Sequence, residues 1–357
     1  MNSKEIAIFI PSFSIGGVER VMIDIANSIT NLGTIVTVIV CKDQGELKDS
    51  LNSSIPIISL NSPLRYCLLP LCKQLKKGKY DSILTGPDFP NFIGIIAAKL
   101  SGTKVIVTQH NLFNLESQDL GLHGRLTPLL YRMLYPMSNH IITVSDATYD
   151  MLIRYGIKSS KLTKISNPIN ISLIKQLSRR QKNYSPRNDY IVFVGRLSKI
   201  KNIPLLLNAF EIVSRTYSNL SLVIVGDGDE SESLQNMARS MDSSKILFIG
   251  AQSNPYPYIS RAKLLCLPSY SEACPCILIE AMALGVTPII TPTTGGMECT
   301  DNGNLSYHST SFTDPHEYAK IIEKGLTAPI SKQSLEEYAK KFDIGNISNR
   351  YIEILSL

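Results

Sequence analysis

Two glutamates on either side of a predicted helix start are the first residues whose spacing suggests chemistry. Glu272 lies in a loop, and Glu280 follows it in an E-x7-E pattern. Pro275 suits the first turn of a helix and Gly285 suits the left-handed residue after its last turn, so Glu280 is expected on that helix. Two carboxylates can hold hydroxyl groups while helix amides face an anion, which fits a sugar nucleotide. A surface loop with one solvated helical glutamate is the alternative.

A pair of cations, Arg196 and Lys201, follows the predicted strand at 190–194. Arginine offers a planar fork of donors and lysine a compact point charge, and together they suit a diphosphate. Ordinary surface basicity is the alternative. The turn position directly after a buried strand favours the diphosphate.

An Asp-Gly-Asp sequence at 227–229 raises the question of a metal site, because D-x-D binds a metal in some nucleotide-sugar enzymes. Here it follows Val-Ile-Val-Gly at the end of a predicted strand. A loop near the nucleotide is the simpler interpretation. We therefore expect no metal and no other cofactor.

His110 lies just past the predicted strand at 105–108. The carboxyl ends of parallel strands border the crevice where such sheets bind ligands. His110 could therefore donate to a sugar hydroxyl or stabilise developing charge, and a purely structural histidine is the alternative.

A glycine turn, Gly16-Gly17, follows the predicted strand at 6–10 and precedes a helix. It is not G-x-G-x-x-G, so it does not support a nicotinamide dinucleotide site. Two glycines let the backbone approach a bound group, and a plain tight turn is the alternative.

The elements that must position these residues alternate between strands and helices. Strand, glycine turn, helix and strand open the chain, which predicts a parallel α/β sheet. After a polar, basic stretch at 171–188, the pattern restarts. The prediction is two α/β domains with a cleft between them, an N-terminal domain at 1–170 and a C-terminal domain at 189–334, joined by that linker.

The composition describes a folded chain of two domains. It has 357 residues, 44% hydrophobic and 18% charged, unlike a disordered chain or a membrane bundle. No apolar run approaches the length of a membrane span, and the N-terminus shows no signal peptide. Seven cysteines at irregular spacings, without a C-x-x-C pair, indicate reduced thiols used mostly in packing. We expect a cytoplasmic protein.

The positive charge is concentrated in the first half. Residues 1–187 carry 22 lysines and arginines against 12 aspartates and glutamates. No nucleic-acid-binding signature accompanies them, so no nucleic acid is expected. The stretches 64–79 and 121–138 combine basic and apolar residues at helical spacing. They favour peripheral contact with an anionic membrane, and sheet-packing helices with a solvated basic face are the alternative.

Taken in order, these pieces resemble the retaining glycosyltransferases of the GT-B fold, family 4. That fold has two facing Rossmann-like domains with an interdomain cleft. The resemblance runs nearly end to end, although each motif is weak alone. The matching pieces are Ile-Gly-Gly-Val-Glu-Arg-Val at 15–21, Thr-Val-Ser-Asp-Ala-Thr at 143–148, Ser-Asn-Pro-Ile at 166–169, Val-Gly-Arg-Leu-x3-Lys-Asn at 194–202, Val-Gly-Asp-Gly at 225–228, the E-x7-E at 272–280, and Gly-Gly-Met-Glu at 295–298.

The resemblance implies a role for each matching residue. Arg196 and Lys201 would neutralise the donor diphosphate. Glu272 would grip the donor-sugar hydroxyls, His110 would face that sugar, and Glu280 would hold the nucleotide ribose. The donor-binding set that it implies is Gly16, Gly17, Asn167, Gly226, Cys276, Ile277, Leu278 and Glu280. The resemblance also implies no metal, and a last helix, 335–357, that crosses back to the first domain.

One departure from the family pattern falls in the E-x7-E loop. Family members usually carry Glu-Gly-Phe where this chain has Glu272-Ala273-Cys274. The loss of the glycine and the aromatic residue alters the loop expected to face the sugar. The choice of donor is therefore the property most exposed to this change.

The implied activity is transfer of a hexosyl or N-acetylhexosaminyl group with retention of the anomeric configuration. The donor would be a nucleotide-diphosphate sugar, most simply a UDP-sugar. The acceptor would be a saccharide linked to a polyprenyl diphosphate, in bacterial surface polysaccharide assembly at the inner face of the cell membrane. Two alternatives remain: a UDP-sugar epimerase on the same fold, and a non-catalytic subunit that binds a nucleotide sugar.

Overall fold

The computed structural model describes residues 4–113, 121–180, 189–241 and 245–356. Contacts within the chain divide it into two compact units. The first unit is Met1–Ile169 together with Phe342–Leu357, and the second is Asn170–Lys341.

The first unit is built on a seven-stranded parallel sheet, in the order β3-β2-β1-β4-β5-β6-β7. The strand order reverses between β1 and β4, so the loops after these strands diverge at a topological switch point. The strands are β1 Glu5–Ile10, β2 Ile35–Val40, β3 Ile57–Ser59, β4 Ser82–Thr85, β5 Lys104–Gln109, β6 His140–Thr143 and β7 Leu162–Lys164.

Helices accompany this sheet as the crossovers between its parallel strands. They are α1 Gly17–Asn31, α2 Leu68–Gly78, α3 Asp88–Ser101, α4 Gly121–Leu134 and α5 Asp146–Arg154. In α1 the apolar side chains recur at helical spacing and are buried, for example Met22, Ile25 and Ile29. Residues 6–10 of β1 are all buried, as expected of a parallel strand covered on both faces.

The second unit repeats this architecture with a six-stranded parallel sheet, in the order β10-β9-β8-β11-β12-β13. The strands are β8 Tyr190–Val194, β9 Ser221–Val225, β10 Ile246–Gly250, β11 Leu264–Leu267, β12 Thr287–Ile290 and β13 Tyr307–His308. The order reverses between β8 and β11, which makes these two strands neighbours at the switch point.

The helices of the second unit are α6 Ile171–Ser178, α7 Ile203–Thr216, α8 Ser231–Arg239, α9 Tyr256–Ile259, α10 Cys276–Ala283, α11 Thr294–Cys299, α12 Pro315–Thr327 and α13 Lys332–Ala339. The prediction of two successive α/β domains with parallel sheets is confirmed. None of the described helices is both long enough and apolar enough to cross a bilayer.

The predicted linker at 171–188 is different in the structure. It begins with helix α6, which is capped by Asn170, whose side chain accepts a hydrogen bond from the amide of Leu173 at 3.0 Å. Lys175 on this helix pairs with Glu336 at 2.5 Å, within the second unit. The segment 171–178 is thus an ordered helix of the second unit, whereas 181–188 lies outside the described residues.

The predicted single helix at 335–357 is two helices. The first is α13 in the second unit, and the second is α14 (Ile344–Leu355), which belongs to the first unit. Asp343 interrupts the run because it caps α14, accepting the amide of Gly345 at 3.0 Å. Ser348 of α14 then hydrogen-bonds Ser28 of α1 at 2.7 Å. The return to the first unit therefore begins near Phe342, not at Leu335.

Candidate active site

The loop that carries Arg196 is held by a second loop of the same unit. Gly195 follows β8, and a Cβ added to Gly226, after β9, would lie 1.8 Å from the Gly195 carbonyl oxygen. A Cβ on Gly228 would lie 2.4 Å from the carbonyl oxygen of Leu197. The amide of Leu197 also donates to the carbonyl of Asp227 at 2.9 Å. Gly226 and Gly228, on either side of Asp227, therefore pack against the backbone that presents Arg196.

Arg196 itself is exposed. Within the described part of the chain, its guanidinium makes no hydrogen bond or ion pair, so its donors are available to a ligand. The predicted donor-binding residue Gly226 reaches this region through its backbone. It supports the Arg196 loop rather than presenting a side chain.

Lys201 and Glu272 are brought into direct contact. Lys201 ends the short 3-10 turn Lys199–Lys201 after β8, and its Nζ lies 2.6 Å from Oε1 of Glu272. The side chains are 23% and 10% exposed. Ser269 Oγ donates to the same carboxylate oxygen at 2.6 Å. The predicted phosphate ligand and the predicted sugar ligand thus form one charged cluster.

Backbone contacts keep this cluster together. The amide of Tyr270 donates to the carbonyl of Ile200 at 2.8 Å, which joins the Glu272 loop to the Lys201 turn. On the other side, the amide of Gly295 in α11 donates to the Glu272 carbonyl at 3.1 Å. Glu272 is therefore fixed between the turn after β8 and helix α11.

Glu280 lies on α10, as predicted, and is 7% exposed. The hydroxyl of Tyr256 donates to its Oε1 at 3.1 Å. Pro275 directly precedes the helix and does not lie in its first turn, while Gly285 has φ +72° after its end. The carboxylate of Glu280 is thus held in place by a phenol that the sequence did not single out.

The start of α10 is accessible at two of the three positions predicted to bind the donor. Cys276 and Ile277 are half-buried. The Leu278 side chain is buried and its amide donates to the Pro275 carbonyl at 3.0 Å. The amide of Leu278 is thus already used, and the half-buried Ile277 is the position at this helix start that an anion could approach.

The unusual Ala273-Cys274 pair is buried, at 8% and 7% exposed. A Cβ on Gly295 would lie 2.1 Å from the Ala273 carbonyl oxygen, so the loop packs closely on α11. Cys274 Sγ lies 3.4 Å from Cys299 Sγ. The hydrogen bond with Cys274, together with burial, raises the pKa of the Cys299 thiol well above its usual range. The Cys274 side chain thus packs against α11 through Cys299, and the Ala273 side chain is buried.

In the first unit, the structure brings His110 and Asn167 together. His110 is 5% exposed, and its Nδ1 lies 3.1 Å from the Asn167 side-chain oxygen. Its Nε2 lies 2.9 Å from Thr108 Oγ1. Burial lowers the pKa of His110 to about 4, although the negative charge of Asp88 acts in the opposite direction. The imidazole is therefore neutral at physiological pH and can offer only one ring N–H.

The glycine turn lies at the start of α1. Gly16 precedes the helix, where a Cβ would lie 2.1 Å from Oε2 of Glu19, and Gly17 is its first residue. A Cβ on Gly17 would meet no atom within 4 Å. The space beside Gly17 is open, which is compatible with close approach of a ligand to this backbone.

The Asp-Gly-Asp turn has a local explanation. Oδ1 of Asp227 accepts the amide of Gly228 at 2.8 Å, so this carboxylate closes its own turn. Across the described residues, no group of three or more histidine, cysteine, aspartate or glutamate side chains is arranged to hold a metal ion. The absence of a metal requirement stays a prediction.

We expect Gly226→Ala to destabilise the second unit. The new Cβ would lie 1.8 Å from the Gly195 carbonyl oxygen, so one of the two loops must move. Steric overpacking of this kind costs about 1–3 kcal/mol. Thermal unfolding should show a lower midpoint for this variant. Gly17→Ala is the matched control, because its Cβ meets open space, and an unchanged midpoint for both variants would contradict the packing argument.

The buried neutral state of His110 predicts an acid-sensitive stability. In the unfolded chain the His110 side chain takes up a proton below about pH 6.5, whereas in the folded protein, where its pKa is about 4, it does so only near that pH. Between these values the unfolded state binds more protons, so the free energy of unfolding falls as the pH falls, by about 2 kcal/mol at pH 5. Urea unfolding of the wild type and His110→Asn at pH 7 and pH 5 measures the difference. Equal pH dependence in the two proteins would rule out this contribution.

Two family sequence models match consecutive parts of the chain. "Glycosyltransferase Family 4" matches residues 15–173, and "Glycosyl transferases group 1" matches residues 174–342. Together they extend over both units.

Characterised relatives and solved structures agree with these matches. A Campylobacter jejuni protein named GalNAc-alpha-(1->4)-GalNAc-alpha-(1->3)-diNAcBac-PP-undecaprenol alpha-1,4-N-acetyl-D-galactosaminyltransferase is 25% identical over 370 residues, covering 99% of this chain and 98% of its own. The Escherichia coli UDP-Gal:alpha-D-GlcNAc-diphosphoundecaprenol alpha-1,3-galactosyltransferase is 27% identical over 308 residues, covering 80% and 78%. The crystal structure of Anabaena HepE in complex with UDP-glucose superposes with a TM-score of 0.81 at 21% identity, covering 99% of both chains. The chain belongs to glycosyltransferase family 4 and has the GT-B fold.

Proposed function

We propose that this protein is a retaining glycosyltransferase that moves a sugar from a UDP-sugar to a polyprenyl-diphosphate-linked saccharide, in the assembly of a bacterial surface polysaccharide. The observation that carries the proposal is the Lys201–Glu272 ion pair in the second unit, together with the exposed Arg196 in the loop that leads to Lys201. There, two cations and a carboxylate are held at the ends of the neighbouring strands β8 and β11. The transferred group is a hexosyl or an N-acetylhexosaminyl unit.

The two cations would bind the donor diphosphate and stabilise it as it leaves. The exposed guanidinium of Arg196 offers a fork to the phosphate oxygens. Lys201 is already positioned by Glu272, so it need not be ordered when the donor binds. Preorganised donors aimed at developing negative charge are usually the largest electrostatic contribution to catalysis. The amide of Ile277 at the start of α10 would add to this stabilisation.

The two glutamates would then orient the sugar and the ribose. Oε1 of Glu272 is occupied by Lys201 and Ser269, and a carboxylate has lone pairs to accept further hydroxyls. Glu280 would hold the ribose while Tyr256 keeps its carboxylate oriented. His110, neutral because it is buried, would face the sugar as a neutral hydrogen-bonding group.

Retention without a protein nucleophile fits this set of residues. In front-face attack, the leaving phosphate helps to deprotonate the acceptor hydroxyl, so the protein supplies charge stabilisation and positioning. No metal ion is needed in this mechanism, because Arg196, Lys201 and helix amides neutralise the diphosphate.

The names of the relatives support the choice of donor and acceptor. The Escherichia coli relative is named for UDP-galactose and a diphosphoundecaprenol acceptor, and the Campylobacter jejuni relative for a PP-undecaprenol saccharide. HepE was crystallised with UDP-glucose. A UDP-sugar epimerase and a non-catalytic binding subunit are the remaining candidates, and they differ from a transferase in their products.

Peripheral membrane contact through the first unit is part of this proposal. In α4 and the turn after it, Leu129, Met133 and Met137 recur every four residues and are 52%, 60% and 39% exposed. Helix α2 exposes Leu69, and four lysines of the predicted basic stretch, Lys73, Lys76, Lys77 and Lys79, are exposed too. Both helices pack against α3. Exposed apolar side chains beside lysines suit an anionic lipid surface, and a membrane-bound acceptor would be reached there.

A transfer assay tests the proposed reaction. The full-length protein is incubated with UDP-glucose, UDP-galactose and their N-acetylamino counterparts, with and without a polyprenyl-diphosphate-linked saccharide, and products are identified by mass spectrometry. We expect an extended acceptor, formed equally in EDTA, with an anomeric NMR coupling that matches the donor. Epimerisation of the donor in the absence of acceptor would identify an epimerase. Thermal stabilisation by the donor without any product would identify a binding subunit.

The same assay tests the assigned cation. Arg196→Ala should lower the transfer rate by about 10²–10³ because a preorganised charge is lost. Its thermal midpoint should not change, since the side chain is exposed. Arg215→Ala is the matched control, because that arginine is 73% exposed and pairs only across its helix with Glu211 among the contacts of the described residues. Full turnover by Arg196→Ala would refute its role.

Co-sedimentation with vesicles tests the membrane contact. At low salt we expect the full-length protein to bind vesicles containing phosphatidylglycerol and not those of phosphatidylcholine alone, because surface charge attraction is screened by salt. The double variant L129Q/M133Q should lose binding. Leu32→Gln, which changes a 52% exposed leucine after α1, should not. Equal sedimentation of all three proteins would dismiss this surface.

A further inference from the structure

A buried hydrogen-bond network in the first unit converges on one carboxylate, that of Asp88. Its Oδ1 accepts from the hydroxyl of Tyr131 and, at 3.1 Å, from Gln109 Nε2. Its Oδ2 accepts from Asn111 Nδ2 at 2.6 Å. The carboxylate is therefore bound to the side chains on both sides of His110, the residue between Gln109 and Asn111.

The backbone at Asp88 is unusual. Asp88 begins α3 directly after the loop that leaves β4, and its φ is +27°, a region that side-chain-bearing residues rarely adopt. Conformations of this kind cost roughly 1–3 kcal/mol and persist where surrounding contacts over-determine them. Three hydrogen bonds to the carboxylate supply such contacts. They place a charged group at a position where the backbone alone would disfavour any residue but glycine.

Gln109, Tyr131 and Tyr135 of the network are neutral and buried. Tyr135 donates to Gln109 Oε1, so Gln109 is held at both ends of its amide. Burial raises the pKa values of Tyr131 and Tyr135 well above their usual range. Both phenols therefore keep their protons and act as donors. Asp88 is thus the acidic residue that accepts from Tyr131, Gln109 and Asn111.

The geometry of an extended segment links this network to His110. The side chains of residues 109 and 111 both reach Asp88, whereas that of residue 110 contacts Thr108 and Asn167, as in a chain whose successive side chains point to opposite sides. When Asp88 holds Gln109 and Asn111, the backbone between them can turn only a little. The backbone under the ring is close as well, because a Cβ on Gly86 would lie 3.5 Å from His110 Nε2.

We propose that Asp88 is a positioning residue, which fixes the orientation of His110 by holding the side chains of Gln109 and Asn111 through its carboxylate. The importance of this for transfer rests on the proposed role of His110 at the donor sugar. Asp88 acts through Gln109 and Asn111, and its own carboxylate oxygens are already occupied by donors of the protein.

The contact between Asp88 and Asn111 can be tested by a suppressor experiment. Asn111→Asp places a second carboxylate opposite Asp88, and two like charges at this distance repel. A misplacement of about 1 Å at a reacting group can cost about 10² in rate, and we expect a loss of kcat/KM of that order. Adding Asp88→Asn restores the hydrogen bond in the opposite direction, because the amide at 88 can now donate to the carboxylate at 111. The kcat/KM of the double variant should be at least about tenfold higher than that of Asn111→Asp, because the effects of two contacting residues are not additive.

A second readout reports on His110 without relying on transfer. The 15N NMR signals of the His110 ring should shift in Asn111→Asp and return toward wild type in the double variant. Asp81→Asn is the matched control, because Asp81 also accepts a hydrogen bond, from the amide of Glu5 at 2.8 Å, but does not contact this network. It should change neither the His110 signals nor kcat/KM.

The outcomes separate the two proposals. If the double variant is no better than Asn111→Asp in both readouts, or if Asn111→Asp leaves the His110 signals unchanged, Asp88 does not position His110. A lower thermal midpoint with unchanged signals and unchanged kcat/KM would likewise assign Asp88 a merely structural role. If the signals shift and recover while His110→Ala transfers sugar at the wild-type rate, the positioning by Asp88 is upheld and the proposed role of His110 fails.

Discussion

The ion pair between Lys201 and Glu272 joins the loop after β8 to the loop after β11, and the candidate site of the second unit is built on these two loops. These residues are separated by 71 positions in sequence. They meet because β8 and β11 are neighbours at the point where the strand order reverses. A partly buried ion pair is stable only with good geometry and further hydrogen bonds, which Ser269 provides. The glycines after β9 pack against the backbone on either side of Arg196, and α11 fixes the far side of Glu272.

The first unit also holds two loops together at its candidate site, but with different chemistry. It also joins loops that leave neighbouring strands, β4 and β5, but it uses one carboxylate and several neutral donors. The second unit can tolerate two opposite charges because both remain partly exposed. The first unit buries its tyrosines and His110, where a second charge would be costly, so burial keeps them neutral.

The elements of both sheets could be predicted from sequence because a parallel strand buried on both faces is a continuous apolar run. Arg196, Lys201, Glu272 and His110 could be singled out because each follows such a run. The contact of Lys201 with Glu272 could not be predicted, since it depends on the order of strands in space. Asp88 could not be singled out because it lies at the very start of α3, where no apolar periodicity marks it, and its partner Tyr131 is on a distant helix. The break between α13 and α14 could not be predicted either, because the cap formed by Asp343 depends on a contact that its residue type alone does not specify.

The excess of basic residues in the first half does not lie in the hydrogen-bond network around His110. His110 is neutral and its network converges on a carboxylate, so this network contributes no net positive charge. The lysines of α2 and the residue after it, by contrast, are exposed. An excess of basic residues on a solvated helix creates a potential that acts on anions outside the protein, within about 10 Å at ordinary ionic strength. Under the proposed function, the donor diphosphate would therefore rely on Arg196 and Lys201 of the second unit, and the basic excess of the first half would serve an anionic surface.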